Sequence, residues 1–129
     1  MKAMKFHRAG IHLPVKNLRQ TLDYYRDALG FSEEWTWGES DGGIRRNDMR
    51  LLFGEDPEYT TTINSEKKCI NLLWFVDNIH EVYEEFKNRK IEIASPLTDY
   101  PYGVREFAFL DINGYYIRVT ESIEEQTTA

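Results

Sequence analysis

One amphipathic pattern occurs twice in this chain at a constant distance, and no other feature restricts its fold as much. Asn17 and Asn78, Leu18 and Ile79, Leu22 and Tyr83, and Tyr25 and Phe86 are each 61 positions apart. In both copies an asparagine stands where a helix N-cap is expected, with Gln20 or Glu81 three residues on at capping-box spacing. Apolar residues then recur at helical intervals. Two unrelated αβ modules would keep the order of elements and lose the register, so the constant offset predicts an internal duplication.

The flanking sequence makes each copy a βαβββ unit. Residues 5–15 read as a strand with Ile11, Leu13 and Val15 on one face and Gly10, His12 and Pro14 on the other. Pro14 has no amide donor and belongs at an end or on an edge. The first helix stops at Gly30; residues 31–37 read as a strand, 38–43 as a turn-rich connection, 44–46 as a short strand, Asn47-Asp48 as a tight turn and 49–54 as a further strand. In the second copy residues 70–77 read as a strand, 91–94 as another, and 95–102 as a loop with two prolines ahead of a closing hairpin. Asn113-Gly114 predicts a two-residue turn with positive φ at both centres. Alternation then places Tyr116, Arg118 and Thr120 on one face of the last strand and Tyr115, Ile117 and Val119 on the other. The expected class is α+β: one domain made of tandem βαβββ modules at 4–55 and 69–121, a polar linker at 56–68 and a polar tail at 122–129.

Composition narrows the function. A net charge of −6 speaks against nucleic-acid binding. No apolar run is long enough to span a bilayer, and residues 1–10 are too charged for a secretory signal, so no membrane partner and a cytoplasmic location are expected. The single cysteine, Cys69, excludes an intrachain disulfide and reads as a quiet, partly buried thiol. Eight Tyr and three Trp provide rings for a core or for a ligand pocket. No Gly-rich phosphate loop, Ser/His/Asp arrangement or paired-cysteine motif is present.

Three stretches carry a likeness to a known family: HLPVKNLRQTLDYYRDALGF at 12–31, RNDMRLLF at 46–53 and YGVREFAFLDINGYYIRV at 102–119. Together they resemble the vicinal-oxygen-chelate superfamily, also called the glyoxalase/bleomycin-resistance fold. The resemblance implies two βαβββ modules whose mixed sheets form a cup-shaped, partly open barrel with helices outside. Enzymes of the superfamily hold a divalent metal in the cup, and their ligand positions fall here on Gly10, Leu52, Asn71 and Arg118. None offers an imidazole or carboxylate, and a guanidinium repels a cation. A two-residue slip of the first strand would put His12 in place of Gly10, regaining one ligand. The departure matches the metal-free bleomycin-resistance branch, whose first strand also ends in an LP pair, here Leu13-Pro14. That branch binds and sequesters a drug without altering it, as a homodimer, which implies a small-molecule ligand, no cofactor and a role in antibiotic resistance. The competing implications are a metal-dependent lyase, isomerase or dioxygenase with a displaced site around His12, and a ligand-sensing or interaction module.

Alternation predicts a cup-facing set of Gly10, His12, Arg50, Leu52, Asn71, Leu73, Tyr116 and Arg118. His12 has three open readings: a ligand contact, a replacement metal donor, or a histidine satisfied by a neighbouring strand or by water. Arg50 and Arg118 suit acidic ligand groups, or are neutralised internally by a carboxylate such as Glu106. Asn71 offers an orienting donor and acceptor. Trp35 and Trp37 share one strand face, and Tyr102 lies in a loop beside the closing hairpin; all three suit stacking on a planar ligand, and core or interface packing suits the tryptophans equally. Trp74, of opposite parity to Asn71, is expected against the helix, and His80 is expected in solvent.

Overall fold

A computed structural model describes residues 3–65 and 70–123. The chain divides into two compact units, Met1–Pro57 and Glu58–Ala129. Each contains an open four-stranded mixed sheet with a helix on one face, as an α+β reading of two βαβββ modules requires.

In the first unit β1 (His12–Val15), α1 (Leu18–Asp27), β2 (Ser32–Trp37), β3 (Asp41–Arg46) and β4 (Met49–Glu55) give the strand order β1-β4-β3-β2, with β1 parallel to β4. Asn17 caps α1 as expected, its Oδ1 accepting the Gln20 amide at 2.8 Å. The helix lays Leu18, Leu22 and Tyr25 over Leu13, Val15, Ile44, Leu51 and Phe53, all nearly sealed from solvent, with the Tyr25 and Phe53 rings 5.1 Å apart. The strand expected over 5–15 is only four residues long, and Pro14 sits on an edge strand where its missing donor costs nothing. Residues 41–43, expected in a turn, begin β3. Their glycines serve close approach: a Cβ on Gly42 would lie 2.8 Å from the Trp35 carbonyl oxygen.

The second unit runs α2 (Pro57–Ile63), β5 (Leu72–Phe75), α3 (Ile79–Asn88), β6 (Glu92–Tyr100), β7 (Val104–Leu110) and β8 (Tyr116–Ser122), ordered β5-β8-β7-β6 with β5 parallel to β8. The stretch expected as a linker thus carries a helix, started by Pro57, whose fixed φ suits a first helical turn. Its Thr60 is fully buried, and Asn64 just beyond it donates to the Asn113 carbonyl, tying α2 to the closing hairpin. Phe86 meets Phe107 and Phe109 edge-on, and Trp74 lies 5.4 Å from Phe109, on the helix-facing side expected of it. Strand β6 runs through the expected loop. Pro96 is tolerated because β6 is an edge strand whose register with β7 shifts between Ile93 and Thr98.

Two local expectations are corrected. Asn78 does not cap α3 with its side chain; it adopts φ 55°, ψ 53°, and the Glu121 carboxylate accepts from the Asn78 and Ile79 amides at 3.0 and 3.2 Å. The closing hairpin does not turn on two residues at positive φ. Only Gly114 is positive, at 89°, the Asp111 amide pairs with the Tyr115 carbonyl, and the Gly114 amide donates to the Asp111 carbonyl. This is the three-residue hairpin loop ending in a left-handed glycine. Asp111 Oδ1 collects the Asn113 and Tyr115 amides at 2.9 and 3.0 Å, so a side chain replaces the missing ladder bonds. Burial, and secondarily the Asp111 carboxylate, push the Tyr115 phenol above its ordinary pKa.

Among the described residues no helix is long and apolar enough to cross a membrane. The readings of Cys69 and of residues 124–129 fall outside the described residues.

Candidate functional site

The duplication makes the register itself informative. His12 lies opposite Leu52 in the first unit, and Leu73 lies opposite Arg118 in the second. Leu52 in turn pairs with Gly43, and Arg118 with Ala108. Leu52 and Arg118 are therefore equivalent, as the sequence spacing implied. Two residues along the partner strands, Asp41 of β3 and Glu106 of β7 are equivalent as well, since Asp41 pairs with Gly54 and Glu106 with Thr120. Each sheet thus presents one of these two equivalent carboxylates on the face turned from its helix.

In the second unit that carboxylate is consumed. Arg118 donates from Nε to Glu106 Oε2 at 2.9 Å and from Nη2 to Glu106 Oε1 at 3.1 Å, the side-on fork that guanidinium and carboxylate geometry favours. Thr120 donates its hydroxyl to the same Oε1 at 2.9 Å, and Nη1 of Arg118 donates to Asn71 Oδ1 at 3.2 Å. Glu106 is buried, whereas the Arg118 side chain keeps 28% of its surface. The hydrogen bond to Glu106 is the leading cause that raises the Arg118 pKa further. Of the two readings open for Arg118, internal neutralisation by Glu106 is the one found. Asn71 precedes β5 instead of sitting within it and is exposed, yet it orients the guanidinium. Tyr116, half-buried, stands two residues from Arg118 on the same face. Tyr102 is in the β6–β7 turn, exposed, its ring stacked on Tyr100 at 5.3 Å.

In the first unit the corresponding face carries rings laid over glycines. A Cβ at Gly43 would lie 2.7 Å from Trp35 Nε1 and 2.8 Å from its Cε2, and one at Gly54 would lie 2.7 Å from His12 Cε1. The absent side chains let the indole and the imidazole lie down on the sheet. Trp35 nevertheless keeps 44% of its surface and Trp37, on the same face beside Asp41, keeps 76%. His12 Nε2 is 3.8 Å from Asp41 Oδ1 on β3, two strands from β1. Arg50 is exposed at the far end of this face, opposite Arg45, which pairs with Glu33. His80 is exposed, as expected.

Three contributors were missed by sequence reasoning. Asp41 is matched to Glu106 by strand pairing alone, because the two are 65 positions apart whereas the helices repeat at 61. Gly43 and Gly54 left no signal, because what they accommodate comes from a neighbouring strand. The site also tests the metal implied by the resemblance. At Leu52 and Arg118 the equivalent positions hold an alkyl group and a guanidinium already bound to its own carboxylate. Among the described residues no cluster of three His, Cys, Asp or Glu could hold a metal ion. The donor set does not fit a divalent cation.

The family model described as glyoxalase/bleomycin resistance protein/dioxygenase superfamily matches residues 5–119. No curated protein matches the chain in sequence. Among solved structures, the bleomycin-binding protein of Streptomyces verticillus, complexed with copper(II)-bleomycin, superposes with a TM-score of 0.74 at 22% identity, over 93% of this chain and 99% of that one. A virulence protein of Salmonella typhimurium gives 0.67 at 16%, over 93% and 100%. TioX of a Micromonospora species gives 0.69 at 17%, over 90% and 96%. At these identities the likeness is one of fold.

Proposed function

Because the chain belongs to the glyoxalase/bleomycin resistance protein/dioxygenase superfamily, we propose that it is a metal-independent binding protein that sequesters a small, antibiotic-type molecule, in the cytoplasm and as a homodimer. The observation that carries this reading is the exposed indole of Trp35, held flat over Gly43 with Trp37 beside it. A ring laid on a glycine at a solvent-facing sheet surface offers stacking area to a planar ligand. The bleomycin-binding protein of similar fold supports the ligand class. In this reading the first unit offers Trp35 and Trp37 for stacking and His12 and Arg50 for polar contacts, and the second offers Tyr102 for stacking, Asn71 and Arg118 for polar contacts and Tyr116 for both. No nucleophile or general base is needed.

Calorimetry against planar aromatic and glycopeptide antibiotics tests the proposal, with native mass spectrometry reporting co-purifying molecules and the mass of two chains. Silence across the panel together with no protection of a host expressing the protein overturns it. Stoichiometric Fe, Mn, Ni or Zn in protein purified without chelators would return the enzyme reading.

A further inference from the structure

The distribution of donors around Arg118 says what kind of ligand group this face can take. A guanidinium has five N–H donors. Nε–H and one N–H of Nη2 go to Glu106, and one N–H of Nη1 goes to Asn71. Each terminal nitrogen keeps one N–H with no protein partner among the described residues, on a side chain that is 28% exposed. The positive charge behind these two donors is already matched by a buried carboxylate that carries no other cation among the described residues. Apolar residues share these surroundings with the polar side chains of Asn71, Thr120 and Tyr116. Arg118 lies between Leu73 and Ala108 on the neighbouring strands, and Phe75, 72% exposed, stands opposite Thr120.

From this geometry we propose that Arg118 reads an uncharged carbonyl oxygen, as in an amide or urea group of the bound molecule, and that Glu106 is the residue that makes the site refuse a carboxylate. The inference rests on the binding reading above and adds the chemical class to it. A ligand carbonyl accepts from the spare N–H groups and leaves the pair neutral. A ligand carboxylate placed on the same nitrogens would bring a second negative charge close to the buried Glu106 and leave the cluster with an unmatched charge, which is unfavourable beside a buried carboxylate. Free arginine behaves oppositely, since its strongest partners are carboxylates and phosphates. Glu106 therefore acts through Arg118 as a positioning and selecting residue.

The matched probes 2-naphthamide and 2-naphthoate isolate this term, since they share a ring system and differ in charge. Binding of each to wild type and to Glu106→Gln is measured by calorimetry, with the Arg118 Nε–H resonance followed by NMR. The expected result is preference of wild type for the amide with a shift of that resonance, and a change of about tenfold toward the carboxylate in Glu106→Gln, because charge-assisted bonds become available once the internal partner is neutral. Wild type preferring naphthoate overturns the proposal. So does amide binding that leaves the Arg118 resonance unmoved; if that binding quenches Trp35 emission, the binding function stands and only the role of Arg118 falls. Should Glu106→Gln not fold, the wild-type preference and the Arg118 shift decide alone. No binding of either probe at millimolar concentration overturns the inference, and the antibiotic panel then judges the binding function separately.

Discussion

Substituting Gly43 by alanine probes the link between the fold and the ring platform. The added Cβ would meet two things: Trp35 Nε1 and Cε2 at 2.7 and 2.8 Å, and the Leu51 carbonyl oxygen at 2.8 Å. All lie well inside ordinary van der Waals contact. The indole is a side chain and can swing away; the carbonyl belongs to the adjoining strand and cannot move without opening the β3–β4 pairing. Overpacking of this kind costs about 1–3 kcal/mol. The two parts separate in a double-mutant cycle with Trp35→Ala, because removing the ring abolishes only the first. Urea denaturation of the four proteins should show Gly43→Ala costing less in the Trp35→Ala background, by about 1 kcal/mol. Affinity for a planar aromatic ligand should fall about two- to tenfold in Gly43→Ala as the displaced indole loses its stacking position. A coupling energy below about 0.3 kcal/mol, the level expected of independent sites, would refute the account of Trp35 resting on Gly43.

The duplicated helix starts should respond differently to one substitution: Asn17→Thr keeps a capping hydroxyl at an extended residue and should cost less than about 0.5 kcal/mol, whereas Asn78→Thr forces a β-branched residue into left-handed geometry and should cost about 1–2 kcal/mol. Equal costs in denaturation would contradict the assigned backbone conformations. Glu121→Ala removes the acceptor of two amides at the start of α3 and should cost about 1.5–3 kcal/mol, with faster hydrogen exchange at Asn78 and Ile79; the equivalent Glu55→Ala, which frees only the Leu18 amide, should cost less. Asp99 and Glu34 are held below their ordinary values of 3.8 and 4.5, chiefly by hydrogen bonds from Arg105 and Arg19. Their stabilisation is complete above those values and is lost as pH falls through the lower folded-state ones, so Arg105→Gln and Arg19→Gln should each flatten the acid limb of stability against pH. An unchanged limb in both variants would count against these pairs.

Much of the fold was legible because its determinants are local or periodic. The 61-residue offset, the Asn17 cap and the alternation of Tyr115, Ile117 and Val119 against Tyr116, Arg118 and Thr120 each depend on residues close together in the chain, and the structure buries the first set and turns the second to the other face. The failures share a cause. Asn78 looks like Asn17 in its neighbourhood, but its backbone is set by Glu121, 43 residues away. Gly42 and Gly43 look like a turn until Leu18 and Trp35 are placed above and below them. Pro96 looks like a strand breaker until β6 proves to be an edge.

The same division runs through the site. Sequence alone, through the resemblance to the superfamily, placed Arg118 where a metal's carboxylate would be expected, since that requires only its position four residues after Gly114. Whether Arg118 offers a free positive charge or a neutral pair of donors was decided by tertiary structure. The deciding contact is Glu106, which strand pairing sets opposite Thr120, the next residue after Arg118 on the same face of β8. Side-chain electrostatics depend on distances of a few ångströms, and those are set by how strands pair and how side chains fill the space between them.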